Sequence, residues 1–116
     1  MTRAIWGENL TVRALARGLV GVVVDGVVRD SAQIDRRGLT VYARGTCPAR
    51  PVPSALGEVG TAIICGGIPV APGDIAVTDE DGIVVVPSAV AERGYLAARA
   101  QAEHEAARLA ETIASG

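Results

Sequence analysis

Residues 7–30 read GENLTVRALARGLVGVVVDGVVRD, and the order of elements in this stretch decides the fold. A glycine opens a helix over residues 8–17. Leu10, Ala14 and Arg17 lie on one side of it, and Val12, Leu15, Ala16 and Leu19 on the other. Gly18 stands where a helix end takes a left-handed residue. From Leu19 the chain becomes a continuous β-branched apolar run, the pattern of a strand buried on both faces in a sheet flanked by helices. The run ends on Arg29-Asp30, a fixed cation directly beside a carboxylate.

Outward from this stretch, DSAQIDRRG is a polar turn with room for one helical turn, and LTVYAR (39–44) alternates as a strand does. Residues 45–58 hold three prolines and two glycines and read as a loop. TAIICGG is a short strand ending at a glycine pair. In IPVAPGDIAVTDEDGIVVVP, Pro72-Gly73 turns into one strand and Asp81-Gly82 into the next, a hairpin. A long alanine-rich helix follows, with Ser88 as its N-cap and Gly94 as a weak point. Its apolar stripe is thin, so it suits a neighbouring subunit as readily as its own core. This order predicts a single α/β domain over residues 1–116, with a mostly β core at 7–87 and a C-terminal helix at 88–114. Only two good helices are available to cover the sheet. Either the fold is small or oligomerisation completes it.

Composition removes several chemistries. The net charge is -2 with no block of like charge, which gives no electrostatic footprint for nucleic acid or an anionic membrane. All eleven basic residues are arginine, so no lysine can form a Schiff base. One histidine, His104, cannot build a His-rich zinc centre, and it lies in the polar tail, away from any Ser-His-Asp geometry. Cys47 and Cys65 stand in no metal-ligand spacing and read as buried thiols. No stretch is long enough to span a bilayer, and MTRAIWGENL lacks the apolar core of a signal peptide. The expectation is a cytoplasmic, reducing location.

Two places carry candidate chemistry. At Gly7-Glu8-Asn9-Leu10, glycine allows close approach, and the first-turn amides of Asn9 and Leu10 form an anion site suited to a small carboxylate. An ordinary helix start with Glu8 in its first turn explains the same residues. Arg29 can fork onto two oxygens, and Asp30 is a hard oxygen ligand for magnesium or manganese. Together they suit an enolate. Equally, Asp30 can cap a short helix with Gln33 as its capping-box partner, leaving Arg29 to a surface ion pair. The Asp79-Glu80-Asp81-Gly82 cluster lacks EF-hand spacing and reads as a hairpin turn. Glu103, His104 and Glu105 read as a solvated helix face.

The blocks GLVGVVVDGVVRD, ARG and GGIPVAPGDIAVTDEDGIVVVP, in this order and at these intervals, resemble one family over about residues 7–90. It is that of regulator of ribonuclease activity A, the RraA-like family. Its enzymatic relatives are the class II 4-hydroxy-4-methyl-2-oxoglutarate / 4-carboxy-4-hydroxy-2-oxoadipate aldolases, which also decarboxylate oxaloacetate. The aldolase branch carries an acidic residue, twenty intervening residues, then Arg-Asp. Glu8 and Arg29-Asp30 fit that spacing, with glutamate where the family usually has aspartate.

The resemblance implies a swivelling β/β/α sandwich-barrel, short at its N-terminus relative to family members, assembling as a homotrimer or hexamer with sites between subunits. It implies that Asp30 binds Mg2+ or Mn2+ and that Glu8 positions a water beside the metal. Arg29 would bind the keto oxygen, while Gly7, Asn9 and Leu10 hold the pyruvyl carboxylate of a small 2-oxo acid. The implied activity is pyruvate release from 4-hydroxy-4-methyl-2-oxoglutarate-type substrates or from oxaloacetate. The alternatives are a protein-binding module of the ribonuclease-regulator type and an inactive oligomeric scaffold.

Overall fold

The computed structural model describes residues 3–52 and 56–115. Its elements are α1 (Glu8–Ala16), β1 (Gly21–Val28), α2 (Ser31–Arg37), β2 (Thr40–Thr46), β3 (Ile63–Cys65), β4 (Ile68–Val70), β5 (Ile75–Asp79), β6 (Gly82–Val86) and α3 (Ala91–Ser115). Residues 53–55 of the proline-rich loop lie outside the described residues. Contacts gather the chain into two compact units. The first is residues 1–59 with 65–67, and the second is residues 60–64 with 68–116.

The first unit is built on β1 and β2, which run parallel from Gly21 opposite Thr40 to Val28 opposite Thr46. Parallel neighbours need a crossover, and α2 supplies it. The other edge of β1 takes the chain entering α1. Ile5 N–H donates to Val27 O at 3.0 Å, and Arg29 N–H donates to Trp6 O at 2.9 Å. Trp6 thus forms a parallel bridge with Val28. Parallel segments end at the same edge, so Gly7 and Arg29-Asp30 emerge side by side. Ala4, Ala14, Val24, Val28, Ile34 and Leu39 form the buried apolar core.

Two expectations about this unit change. In β1 burial falls on Val24, Gly26 and Val28, while Val20 and Val23 are exposed. One face of the strand is therefore covered within this chain, not both. In α1 the buried residues are Thr11 and Ala14, and Leu10, Val12 and Leu15 remain exposed. Small side chains at i and i+3 let the helix approach closely, whereas either leucine face would hold it off. The helix ends as Gly18 predicts. Gly18 has φ +78°, its N–H donates to Leu15 O, and Leu19 N–H donates to Ala14 O, the paired bonds of a Schellman end.

A bulge in β1 between Val24 and Val27 turns Asp25 outward. Its carboxylate accepts from Gly66 N–H at 2.9 Å and from Arg44 Nε. The Gly66 amide first, then Arg44, hold the Asp25 carboxyl below its usual range, and Asp25 in turn raises Arg44. Gly66 and Gly67 form the two-residue turn between β3 and β4, with φ +58° and +80°. That is the left-handed pair a tight hairpin needs. Cys47 and Cys65 are half-buried, not buried.

In the second unit β5 and β6 pair antiparallel, closing at Asp79 opposite Gly82. Asp79 Oδ1 accepts from Asp81 N–H at 2.8 Å and Gly82 N–H at 3.2 Å. The acidic cluster is therefore a turn that satisfies its own backbone. Ser88 does not cap the long helix. It opens a separate 3-10 turn, Ser88–Val90, and α3 starts at Ala91 and runs unbroken through Gly94. Ser88 N–H donates to Asp74 Oδ1, and the preceding Pro87 fixes an extended entry. No residue of α3 is buried.

Candidate functional site

Everything in the candidate site follows from the shared edge of β1 and the Trp6 segment. Gly7 is buried, extended and the N-cap of α1. A Cβ there would stand 3.0 Å from Asp30 Oδ2, 3.1 Å from Arg29 Nε and 3.2 Å from Arg29 Cγ. Glycine is thus required by the two side chains lying across it, not by its backbone angles. Thr11 fixes the entry to the helix. Its hydroxyl donates to Gly7 O at 3.0 Å and accepts from Trp6 Nε1 at 2.9 Å.

Asp30 is the one described non-glycine residue in the left-handed region, with φ +58° and ψ +35°. It sits at the N-cap of α2, yet its side chain makes no capping bond there. The capping box with Gln33 is therefore not formed. The carboxylate turns instead to α1, where Oδ2 accepts from the Glu8 N–H at 3.1 Å. An acidic group at a helix N-terminus is favoured by the helix dipole. Arg29 Nε lies 3.7 Å from the same oxygen, with the two side chains 27% and 35% exposed.

Gly7, Arg29, Asp30 and the backbone N–H of Glu8 thus converge at one point. Asn9 and Leu10 stand beside them in the first turn of α1, where amides have no carbonyl one turn back. The Glu8 carboxylate points elsewhere, onto Arg37 Nε at 3.1 Å. Sequence reasoning missed Arg37. The available signal was its place seven residues after Asp30, two turns along one helix face.

The donors fit a hard, hydrated dication. Magnesium commonly takes one or two carboxylates and keeps several waters; Asp30 is one such group, and the Glu8 carboxylate is held on Arg37 Nε. Among the described residues no set of three or more His, Cys, Asp or Glu side chains gathers into a metal cluster. A groove of about 470 Å3 runs between α2 and β2, lined by Val28, Ser31, Ile34, Leu39, Val41 and Thr46 among others. It contains none of Gly7, Glu8, Arg29 or Asp30. The polar site is a half-buried edge beside that groove.

Residues 1–85 match the sequence model of the RraA-like family, described as Aldolase/RraA. The chain belongs to the RraA-like family. It is 37% identical over 106 residues to a Halalkalibacterium halodurans protein named "Putative 4-hydroxy-4-methyl-2-oxoglutarate aldolase", covering 90% of this chain and 50% of that one. A crystal structure of an uncharacterized protein from Pseudomonas syringae pv. tomato superimposes with TM-score 0.86 at 36% identity, covering 98% of this chain and 57% of that one. The RNA-processing inhibitor RraA from Thermus thermophilis matches with TM-score 0.68 at 33% identity, covering 75% of this chain and 53% of that one. The α/β fold is that of the RraA-like family. The chain spans about half the length of the curated relative it matches. Among the described residues no helix is long and apolar enough to cross a membrane.

Proposed function

We propose that the chain carries the site of a divalent-metal-dependent aldolase and decarboxylase. It would release pyruvate from 4-hydroxy-4-methyl-2-oxoglutarate-type substrates or from oxaloacetate. One observation carries this reading: Asp30 leaves its own helix uncapped and places its carboxylate, in a strained backbone, at the α1 N-terminus beside Arg29. Strain of this kind collects at functional sites.

The two reactions share one electron path. Each breaks a bond to C3 of a 2-oxo acid and delivers its electron pair to the keto oxygen. Oxaloacetate loses carbon dioxide, and the hydroxy acid loses a carbonyl compound once a base takes its C4 hydroxyl proton. Mg2+ or Mn2+, when bound, supplies Lewis-acid stabilisation of that oxygen. Asp30 would hold the ion. The Arg29 guanidinium answers the charge arriving on the keto oxygen. The amides of Asn9 and Leu10 receive the pyruvyl carboxylate, with Gly7 leaving room for it. Glu8 would take the C4 hydroxyl proton across a water, and a proton delivered from water to C3 of the enolate completes pyruvate. With no lysine, the chain has no imine route.

The decisive assay follows pyruvate from oxaloacetate and from 4-hydroxy-4-methyl-2-oxoglutarate with Mg2+ or Mn2+. It compares wild type with Asp30→Ala and Arg29→Ala, and equal rates in all three would remove the enzyme reading. A second reading, a protein-binding module, draws on α3, none of whose residues is buried, and on the likeness to the Thermus RNA-processing inhibitor. Retention of a ribonuclease by the chain, undiminished by Asp30→Ala, would favour it.

A further inference from the structure

We propose that Arg37 is a positioning residue, which holds the Glu8 carboxylate away from Asp30 so that a dication would meet Asp30 and water while Glu8, kept off the ion, exchanges between Arg37 and that water. The inference rests on the reading of Asp30 as the ion-holding carboxylate. Glu8 is divided between two partners: its backbone N–H is on Asp30 Oδ2 at 3.1 Å and its carboxylate is on Arg37 Nε at 3.1 Å. Asp30 and Arg37 bracket α2, the first at its N-cap and the second in its last turn. Seven residue steps along the helix separate them by about 10 Å. The α2 C-terminus favours a cation, and Arg37 stands where it can draw Glu8 outward.

The physical consequence concerns competition. Two carboxylates repel each other, but a dication between them would pull both in. A carboxylate spent as a ligand is a poor proton acceptor. Arg37 competes with the ion for Glu8, and the pair is exposed enough to exchange, at 48% and 35%. The glutamate length matters here, since the added methylene gives Glu8 the reach to Arg37.

Calorimetric titration of the whole chain with Mn2+ tests this, beside steady-state oxaloacetate decarboxylation. Arg37→Ala is expected to bind Mn2+ about tenfold tighter, because a second carboxylate joins the ion and a cation leaves. Arg37→Lys should stay near wild type, and the double variant Arg37→Ala, Glu8→Gln should return to it. In turnover, kcat should fall in Arg37→Ala while KM changes little. Thermal melting checks folding, and Arg37→Gln replaces Arg37→Ala where the latter fails to fold. Unchanged or weaker Mn2+ binding in a folded Arg37→Ala chain overturns the role of Arg37 and leaves the Asp30 reading intact. Absence of Mn2+ binding in wild type and variant alike overturns both. A wild type without turnover leaves the calorimetric comparison to decide.

Discussion

The backbone N–H of Glu8 donates to Oδ2 of Asp30 at 3.1 Å, across twenty-two positions of sequence. This bond joins the start of α1 to the start of α2. It also explains an apparent waste: Asp30 occupies a capping position and caps nothing in its own helix. The carboxylate is exported to another helix, where it meets an arginine.

Asp30→Gly and Asp30→Ala separate backbone strain from chemistry. Glycine accepts φ +58° freely, whereas alanine does not. The glycine variant should be more stable than the alanine variant by about 1 kcal/mol in urea melts. Both should lose pyruvate release by about a hundredfold or more, as removal of a charge-stabilising group does. An active Asp30→Gly chain would show that the carboxylate is only structural.

Gly7→Ala tests the close approach of Arg29 and Asp30. The glycine is extended, so alanine brings no backbone strain, only a methyl at 3.0–3.2 Å from those side chains. A stability loss of about 1 kcal/mol is expected, together with a fall in kcat. Gly18→Ala is the control: φ +78° with open space around it predicts a comparable stability loss and unchanged kcat. Equal kcat effects in the two variants would contradict the packing argument.

Thr11→Val probes the hydroxyl between Trp6 and Gly7. Thr11 is fully buried, and its hydroxyl both accepts from Trp6 and donates to Gly7 O. Valine keeps the shape and strands Trp6 Nε1, while Gly7 O keeps only the Thr11 N–H, at about 1–3 kcal/mol. Thr11→Ser should recover most of that. Trp6 is the single tryptophan, so its fluorescence reports the change directly. A valine variant as stable as wild type, with unshifted emission, would refute this.

Much of this was legible because local chemistry and tertiary structure agree. The helix-strand order, the Gly18 end and the Asp-Gly hairpin each rest on short-range backbone rules. What was not legible depended on partners. The GVVVDGVV run gave no sign that only one face is covered, because hydrophobicity does not say which neighbour is present. Nor did ENLTVRALA show that Thr11, not a leucine, faces inward. The spacing of Glu8, Arg29 and Asp30 was visible. The Glu8–Arg37 pair was not, since it needs the crossover geometry of α2.

Asp25 gives the fold an acid-sensitive contact. Its carboxyl is lowered from 3.8 by Gly66 N–H and Arg44. A lowered carboxylate stabilises above its unfolded pKa and loses that contribution as pH falls through the folded value. Wild type should therefore melt above Asp25→Asn at pH 6–7, and the gap should shrink progressively as pH falls below about 4. A gap constant from pH 7 to pH 3 would mean that ionisation of Asp25 does not matter.

No residue of α3 is buried, and Leu96, Leu109 and Ile113 are 54%, 62% and 73% exposed. Its first half carries Arg93 and Arg99 against Glu92, and its second half Glu103, Glu105 and Glu111 against Arg108. Opposite ends of two such helices attract, so a second copy of the chain is the occupant the charges favour. In a monomer Leu109→Ala and Ile113→Ala should each change stability by less than about 0.5 kcal/mol. In a homo-oligomer they should lower the melting temperature and make it more dependent on protein concentration. Light scattering after gel filtration reads the same point: a trimer or hexamer that these substitutions shift toward monomer, against a wild type that is already monomeric and indifferent to them.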